Sequence, residues 1–265
     1  MPDDYPAYYA LIDAINALRP VFSIHVGDTK GGGTDCGDAA QQRIREDFRR
    51  FKQPLVYTPG DNEWTDCWTR HAGGYDPQER LAAVRELFFT GDGNQGGGQL
   101  ALQRQEDMPE NALWWRAGVL FASAHIVGSN NGLRPEAGEV HLAAFADREA
   151  ADVAWLQHAF AQANQRQAAA VVLAFHANMF VPSPVPDGFA RLRPLIGELA
   201  ADFGGPVLLL QGDYHFYILD RPYPQSAPNV QRLQTYGAPM LNAVRISVQP
   251  GAAQPFRFAP VLPLS

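Results

Sequence analysis

Apolar positions Tyr8, Leu11, Ile12, Ile15 and Leu18 recur at the three-and-four spacing of a single helical face, and Pro20 ends the pattern. An amphipathic helix over 7–18 follows. Two short apolar runs come next, "VFSIHVGD" closing at Gly27-Asp28 and "PLVYTPGD" closing at Gly60-Asp61, with a charged helical segment over 39–52 between them. Runs this short, stopped by turn formers, predict buried strands. In "DPQERLAAVRELFF", Asp76 is the predicted N-cap, Pro77 the first helical residue and Glu79 the third, a combination that starts a helix. "GDGNQGGG" at 91–98 is too glycine-rich to pack and lacks the Lys-Ser/Thr ending of a phosphate loop, which predicts a flexible surface loop.

"LWWRAGVLFASAHIVGSNN" reads as a hairpin turning near Ala117-Gly118, its second strand ending at Gly128-Ser129-Asn130-Asn131. A helix over 147–166 capped by Asp147, a strand ending on His176, a helix around 188–203 and a strand ending at Gly212-Asp213-Tyr214-His215 continue the alternation. Four strand-like runs, "FYILD", "VQRLQTYG", "NAVRISVQP" and "FRFAPV", close it. Alternating strands and helices followed by antiparallel strands predict α/β architecture, with helices outside a mixed sheet core and one domain over 1–265. No linker or repeat interrupts it.

Composition narrows the chemistry. At 265 residues and 46% hydrophobic the chain can bury a substantial core, and its net charge of -7 excludes a broad basic surface for nucleic acid or anionic membrane. An anionic substrate would need local positive charge, such as metal ions. No apolar run approaches the roughly 20 residues of a membrane span, and "PDDYPAYYAL" lacks the regions of a signal peptide. Cys36 and Cys67, the only cysteines, both sit in "TDC" and lack the C-x-x-C spacing of a redox or zinc pair. They are either one disulfide, worth about 3 to 4 kcal/mol in the chain-entropy model, or two unrelated buried thiols.

Four strand-like runs end in side chains of metal-ligand type: Asp28, Asp61, His176, and the pair Asp213 and His215. The carboxyl ends of strands are where ligands gather in open α/β sheets, so groups spread from Asp28 to His215 can converge. Residues two apart in extended backbone project to the same side, which lets Asp213 and His215 face one ion. A single Gly-Asp is an ordinary turn; three of them plus a strand-terminal histidine are a candidate centre. His25 lies inside its strand and is read as structural, and His125 and His158 have no identifiable partner.

The order Gly-Asp, Pro-Gly-x-x-Glu, strand-terminal His and Gly-x-x-His, spread over about residues 7–250, resembles the calcineurin-like metallophosphoesterases, which include the purple acid phosphatases. The resemblance implies a two-sheet β-sandwich core flanked by helices in four layers, and two metal ions at the strand ends. Asp28 would bridge both metals, and His176 would bind the second. "GDNE" stands where the family has Gly-Asn-His-Asp/Glu, so Asp61 replaces a metal-binding Asn and Asn62 a catalytic His. "GDYH" stands for Gly-His-x-His, with Asp213 replacing the first histidine and His215 keeping the last. The resulting oxygen-rich shell implies Mn, Fe or Mg rather than Zn. Asn62 would contact the phosphate by a hydrogen bond, a smaller contribution than an imidazolium makes. Glu63 would accept hydrogen bonds behind the ligands, and Trp64 and Trp68 would wall the pocket or pack in the core. Asn130, Asn131 and His71 are further substrate-binding candidates, and a Cys36–Cys67 bridge would hold both metal loops together.

The implied activity is metal-dependent hydrolysis of a small-molecule phosphoester. Two rivals remain: a protein that binds metal or a phosphorylated ligand without turnover, and a structural secreted domain with no metal. The paired cysteines imply a periplasmic or secreted location. In the family a first strand ending in an Asp binds the first metal, but only "MPDDYP" precedes the first helix here. That strand is therefore expected to be missing, with Met1 internal to a longer natural chain bearing a signal peptide. Asp3 or Asp4 would ligate only by an unusual excursion. On this reading the first metal keeps Asp28 and His215 and binds weakly, while the second keeps Asp28, Asp61, His176 and Asp213 and binds well.

Overall fold

The computed structural model describes residues 5–91 and 93–264. Asp3 and Asp4 lie outside the described residues. Its elements are α1 (Tyr5–Leu18), β1 (Ser23–His25), α2 (Asp38–Phe48), β2 (Leu55–Tyr57), α3 (Pro77–Phe88), β3 (Gln103–Arg104), β4 (Ala112–Arg116), β5 (Val119–Ser123), α4 (Glu139–Gln165), β6 (Ala170–Ala174), α5 (Leu192–Phe203), β7 (Val207–Gln211), β8 (Ile218–Asp220), β9 (Val230–Gln234), β10 (Ala243–Val248) and β11 (Phe256–Val261). Seven strands form one mixed sheet in the order β3-β4-β5-β6-β7-β9-β8, parallel from β5 through β9 and antiparallel at both edges. Strands β6 and β7 are buried at every position because helices or ribbons cover both sheet faces, which is why they read as unbroken apolar runs.

Leu156 and Phe160 of α4 and Ile196 of α5 pack on one face of this sheet. Ile24 of β1 and Val26 just after it, and Val244 and Ile246 of β10, pack on the other. Outside β1 and β2, Ile12, Ile44, Phe48 and Val84 bring α1, α2 and α3 together. The mixed α/β layout and the helix-flanked sheet match expectation. A continuous second sheet does not form among the described residues: β1–β2 is a parallel ribbon and β10–β11 a separate antiparallel one. No described helix is long and apolar enough to cross a membrane.

Three boundaries differ from the sequence reading. Helix α4 begins at Glu139, ahead of Asp147, and Val140 in its first turn is 84% exposed, so the apolar residues of those turns do not form a face laid on the core. Strand β5 ends at Ser123, and Ser129, Asn130 and Asn131 all take positive φ (48°, 56° and 55°), a left-handed turn instead of a strand end. The glycine loop is docked, not free. The Gln95 and Gly97 N–H groups donate to the Leu55 and Phe51 carbonyls at 2.8 Å each, and a Cβ on Gly96 would lie 2.3 Å from the Gln53 carbonyl oxygen. Glycine is needed there for close backbone approach. Asp92 lies outside the described residues.

At α3, the Asp76 carboxylate accepts from the Glu79 N–H at 2.9 Å, as its position implies. Cys36 and Cys67 are fully buried and form a disulfide, with Cα atoms 5.8 Å apart. Denatured, unreduced protein should therefore show no titratable thiol. Replacing both cysteines by Ser should cost about 3 to 4 kcal/mol, since the bridge closes 31 residues. Two free thiols, or unchanged denaturant stability, would refute the bridge.

Candidate metal centre

The five candidate ligands follow β1, β2, β6 and β7 within a few residues, all at the carboxyl ends of parallel strands. The chain turns sharply there. Asp28, Asp213 and His215 adopt φ of 54°, 75° and 63°, a left-handed conformation that costs of order 1 to 3 kcal/mol per residue and persists where surroundings enforce it.

One ligand atom from each of Asp28, Asp61 and His176 lies within 4.8 Å of the others. His176 Nδ1–H donates to the Val26 carbonyl at 2.6 Å, leaving Nε2 at 3.0 Å from Asp61 Oδ1 and 3.4 Å from Asp28 Oδ1. His215 repeats the arrangement, with Nδ1–H on the Ala238 carbonyl at 3.1 Å and Nε2 at 3.2 Å from Asp28 Oδ2. A backbone carbonyl that fixes Nδ1–H and aims Nε2 is how proteins orient histidine ligands. Asp28 thus spans two imidazoles, one on each oxygen. Asp213 Oδ2 accepts from the Asn178 N–H at 2.7 Å, and its Oδ1 lies 3.0 Å from where a Cβ on Gly128 would sit, against 2.6 Å for Asp61 Oδ2. A side chain at 128 would fill the space between these carboxylates.

Glu63 is wholly buried and braces the ligand loops from behind. Its Oε2 accepts from the N–H groups of Asp28 (3.1 Å) and Gly60 (2.6 Å), and its Oε1 from the N–H (2.6 Å) and hydroxyl (2.7 Å) of Thr29. Asn62, beside it, donates from Nδ2 to the Lys30 carbonyl at 3.3 Å, and its own carbonyl oxygen lies 3.6 and 3.7 Å from the two disulfide sulfurs. The bridge therefore abuts the loop that carries Asp61 and Asn62.

Charges in this pocket pull against one another. Burial pushes the Asp28 carboxyl up to about 7. Burial also opposes ionisation of Asp61, but the hydrogen bond and charge of His176 outweigh it and hold Asp61 below the usual carboxylate range. Burial alone would lower His176; Asp28 and Asp61 together hold it well above the ordinary imidazole value. His215 is raised by its hydrogen bond to Asp28, and Asp213 by burial. A centre that keeps protons among crowded acids and imidazoles is one from which a divalent cation can displace them. The fit is specific. Asp28 Oδ1 is buried without a hydrogen-bond partner, and a Cβ on Gly60 would come 2.7 Å from it.

Other candidates lie elsewhere. Asn131 is buried, accepting at Oδ1 from Arg148 (2.8 Å) and donating to the Gly188 carbonyl (3.2 Å), and Asn130 Oδ1 accepts from the Gly188 N–H (2.9 Å). Both amides tie the left-handed turn to the 186–188 loop. His71 is exposed on a one-turn helix, Arg70–Ala72. Trp64 is core, packed with Leu81 and Val127, while Trp68 is half exposed beneath the Arg134 guanidinium. His25 is half-buried, packed against Phe48 and Tyr57. His125 has a partner after all, with Nδ1 2.7 Å from Glu110 Oε1, and His158 Nε2 lies 3.2 Å from the Gln103 amide.

Sequence reading missed Ser129. Its hydroxyl sits 2.9 Å from Asp61 Oδ2 and 2.7 Å from Asp66 Oδ2. The left-handed turn aims this residue, not the asparagines after it, at the ligands. Ser129→Ala should weaken divalent-cation binding by about 10- to 100-fold with little loss of thermal stability. Unchanged affinity would reduce Ser129 to a turn residue.

No family model matches the sequence, and no curated protein sequence matches it. Among solved structures the chain is similar to one titled "Structure of PhoD", at 14% identity and TM-score 0.53, over 87% of this chain and 54% of that one. It spans about half the length of that protein. It is also similar, at 12% identity and TM-score 0.48, to a dimetal phosphatase from Danio rerio, over 87% of this chain and 77% of that one. At 14% identity the likeness to PhoD establishes the fold, and the chain shares that mixed α/β architecture.

Proposed function

We propose that the chain is a metal-dependent phosphoester hydrolase with a dinuclear centre. The observation that carries this reading is the Asp28, Asp61 and His176 triad, whose ligand atoms lie within 4.8 Å of one another around a buried carboxylate oxygen that makes no hydrogen bond. The motif order that resembles the calcineurin-like metallophosphoesterases supports it independently. Asp28, Asp61, His176 and Asp213 would hold one ion, and Asp28 with His215 the other. Bound there, divalent cations would supply the positive charge that polarises a phosphoryl group and makes water nucleophilic at neutral pH.

The residues do the positioning. Glu63 fixes the backbone of Asp28 and Gly60, the two carbonyl-anchored imidazoles hold Nε2 inward, and Ser129 orients Asp61. Asn62 stands in the position of the family's catalytic histidine and can donate one neutral hydrogen bond to a phosphoryl oxygen once it releases the Lys30 carbonyl. Modest turnover, or a substrate with a good leaving group, follows. The carboxylate-rich shell favours Mn, Fe or Mg over Zn. A small-molecule phosphoester is the substrate class, and a periplasmic or secreted location accompanies the buried disulfide.

A panel of chromogenic phosphomonoesters and phosphodiesters, assayed with Mn after chelator treatment, tests the proposal. Metal-dependent hydrolysis lost in His176→Ala supports it; hydrolysis unaffected by that substitution sinks it. Asn62 in place of an imidazole favours one rival, binding of metal or a phosphorylated ligand without turnover. Stoichiometric Mn binding with no ester cleaved would select that rival.

A further inference from the structure

Arg148 of α4 is buried, yet among the described residues its guanidinium touches no carboxylate. Asp152, one turn further along the helix, accepts from the Asn111 amide instead, at 3.1 Å. Burying a guanidinium without an ion pair is costly, so its rigid fork of donors is what sets it apart from an apolar residue filling the same space. The fork grips one residue twice. Nη1 donates to Asn131 Oδ1 at 2.8 Å, and Nη2 to the Asn131 carbonyl. Asn131 is the last of the three left-handed residues, two positions after Ser129. The same guanidinium lies 5.3 Å from the ring centroid of Trp64, whose N–H donates to the Asp61 carbonyl at 3.2 Å. Between these contacts the turn and the ligand loop come close together. A Cβ on Gly132 would lie 2.9 Å from Thr65 Cγ2 and 3.3 Å from Arg148 Nη2. One side chain thus holds both partners of the Ser129–Asp61 hydrogen bond, Ser129 through Asn131 and Asp61 through Trp64.

We propose that Arg148 is a positioning residue for the metal centre, clamping the left-handed turn against the Asp61 loop so that the Ser129 hydroxyl stays on Asp61 Oδ2. The inference rests on the proposed divalent-cation centre and gives Arg148 no contact with ion or substrate. The two oxygens of a carboxylate turn together, so a hydroxyl fixed on Oδ2 also fixes Oδ1, which lies 3.0 Å from His176 Nε2. A ligand already held in place costs less ordering when a cation arrives, and groups that orient metal ligands raise affinity in this way. A lysine at 148 would keep the charge and lose the fork. The clamp therefore depends on the shape of the guanidinium as much as on its charge.

The test is calorimetric titration of the metal-free chain with Mn. Arg148→Lys and Arg148→Met should each weaken Mn binding by about tenfold, and by no more than Ser129→Ala does, because the effect passes through that hydroxyl. In the Ser129→Ala background the same substitutions should change Mn affinity by less than about twofold, a coupling that lost stability alone does not produce. Leu156→Ala, which opens a core cavity elsewhere on α4, is the stability control: its thermal midpoint should fall while Mn affinity stays within about twofold of the parent. Asn131→Gly removes the amide acceptor from the turn's side and tolerates the positive φ, so it should reproduce the loss and the coupling even if the Arg148 variants do not fold. Affinity within about twofold of the parent in Arg148→Lys and Asn131→Gly, or equal losses with and without Ser129, overturns the proposal. A parent chain that binds no Mn overturns the centre and this inference with it, whereas parental binding indifferent to Arg148 overturns this inference alone.

Discussion

Replacing Asp28 by Asn should reduce phosphoester hydrolysis by a factor on the order of 10³ or more without unfolding the protein. Each Asp28 oxygen faces a different imidazole, His176 on one side and His215 on the other, so this carboxylate links both halves of the site. Asn keeps the shape, tolerates positive φ and retains the backbone held by Glu63, but it loses the charge and one acceptor. Stability supplies the control. Burial raises the Asp28 pKa from 3.8 to about 7, so the folded state binds its proton more tightly than the unfolded state does. Metal-free stability from this group therefore falls as pH rises from about 4 toward 7, and the substitution should flatten that slope. Activity within tenfold of the parent would remove Asp28 from the centre.

The second large effect is on folding. Glu63→Gln should cost about 3 kcal/mol or more and lower the thermal midpoint by roughly 6 to 12 °C. The wild-type carboxylate accepts at both oxygens, two donors each. An amide cannot satisfy all four; its NH₂ must face either the Asp28 and Gly60 N–H groups or the Thr29 N–H, even if the Thr29 hydroxyl turns to accept from it. The group is wholly buried, so no water relieves the mismatch. Cation affinity should drop as well, because the loops bearing Asp28 and Asp61 lose their common anchor. Glu63→Gln melting within 2 °C of the parent would show that the brace is dispensable.

Strand-end ligands were legible because β6 and β7 are covered on both faces, and their unbroken apolar runs make His176 and Asp213-x-His215 conspicuous where they stop. Glu63 was legible from its place beside the Pro-Gly turn. Ser129 was not, because three consecutive left-handed residues reverse which side chain faces the ligands. Helix α4 hid its start behind exposed turns, and the glycine loop hid its docking in backbone contacts that no side chain announces. Strand pairing was illegible for a similar reason. The open edges of β1 and β10 are backbone facts, and an apolar run reads the same whether it has one neighbour or two.

The claim that strand-end carboxylates and imidazoles form a metal centre is tested most directly by crystals grown with Mn and measured at a wavelength where Mn scatters anomalously. An anomalous peak is expected within about 2.0 to 2.6 Å of ligand atoms from Asp28, Asp61 and His176, lost in crystals of His176→Ala. A flat map at these side chains at millimolar Mn, or a peak confined to surface carboxylates, would contradict it.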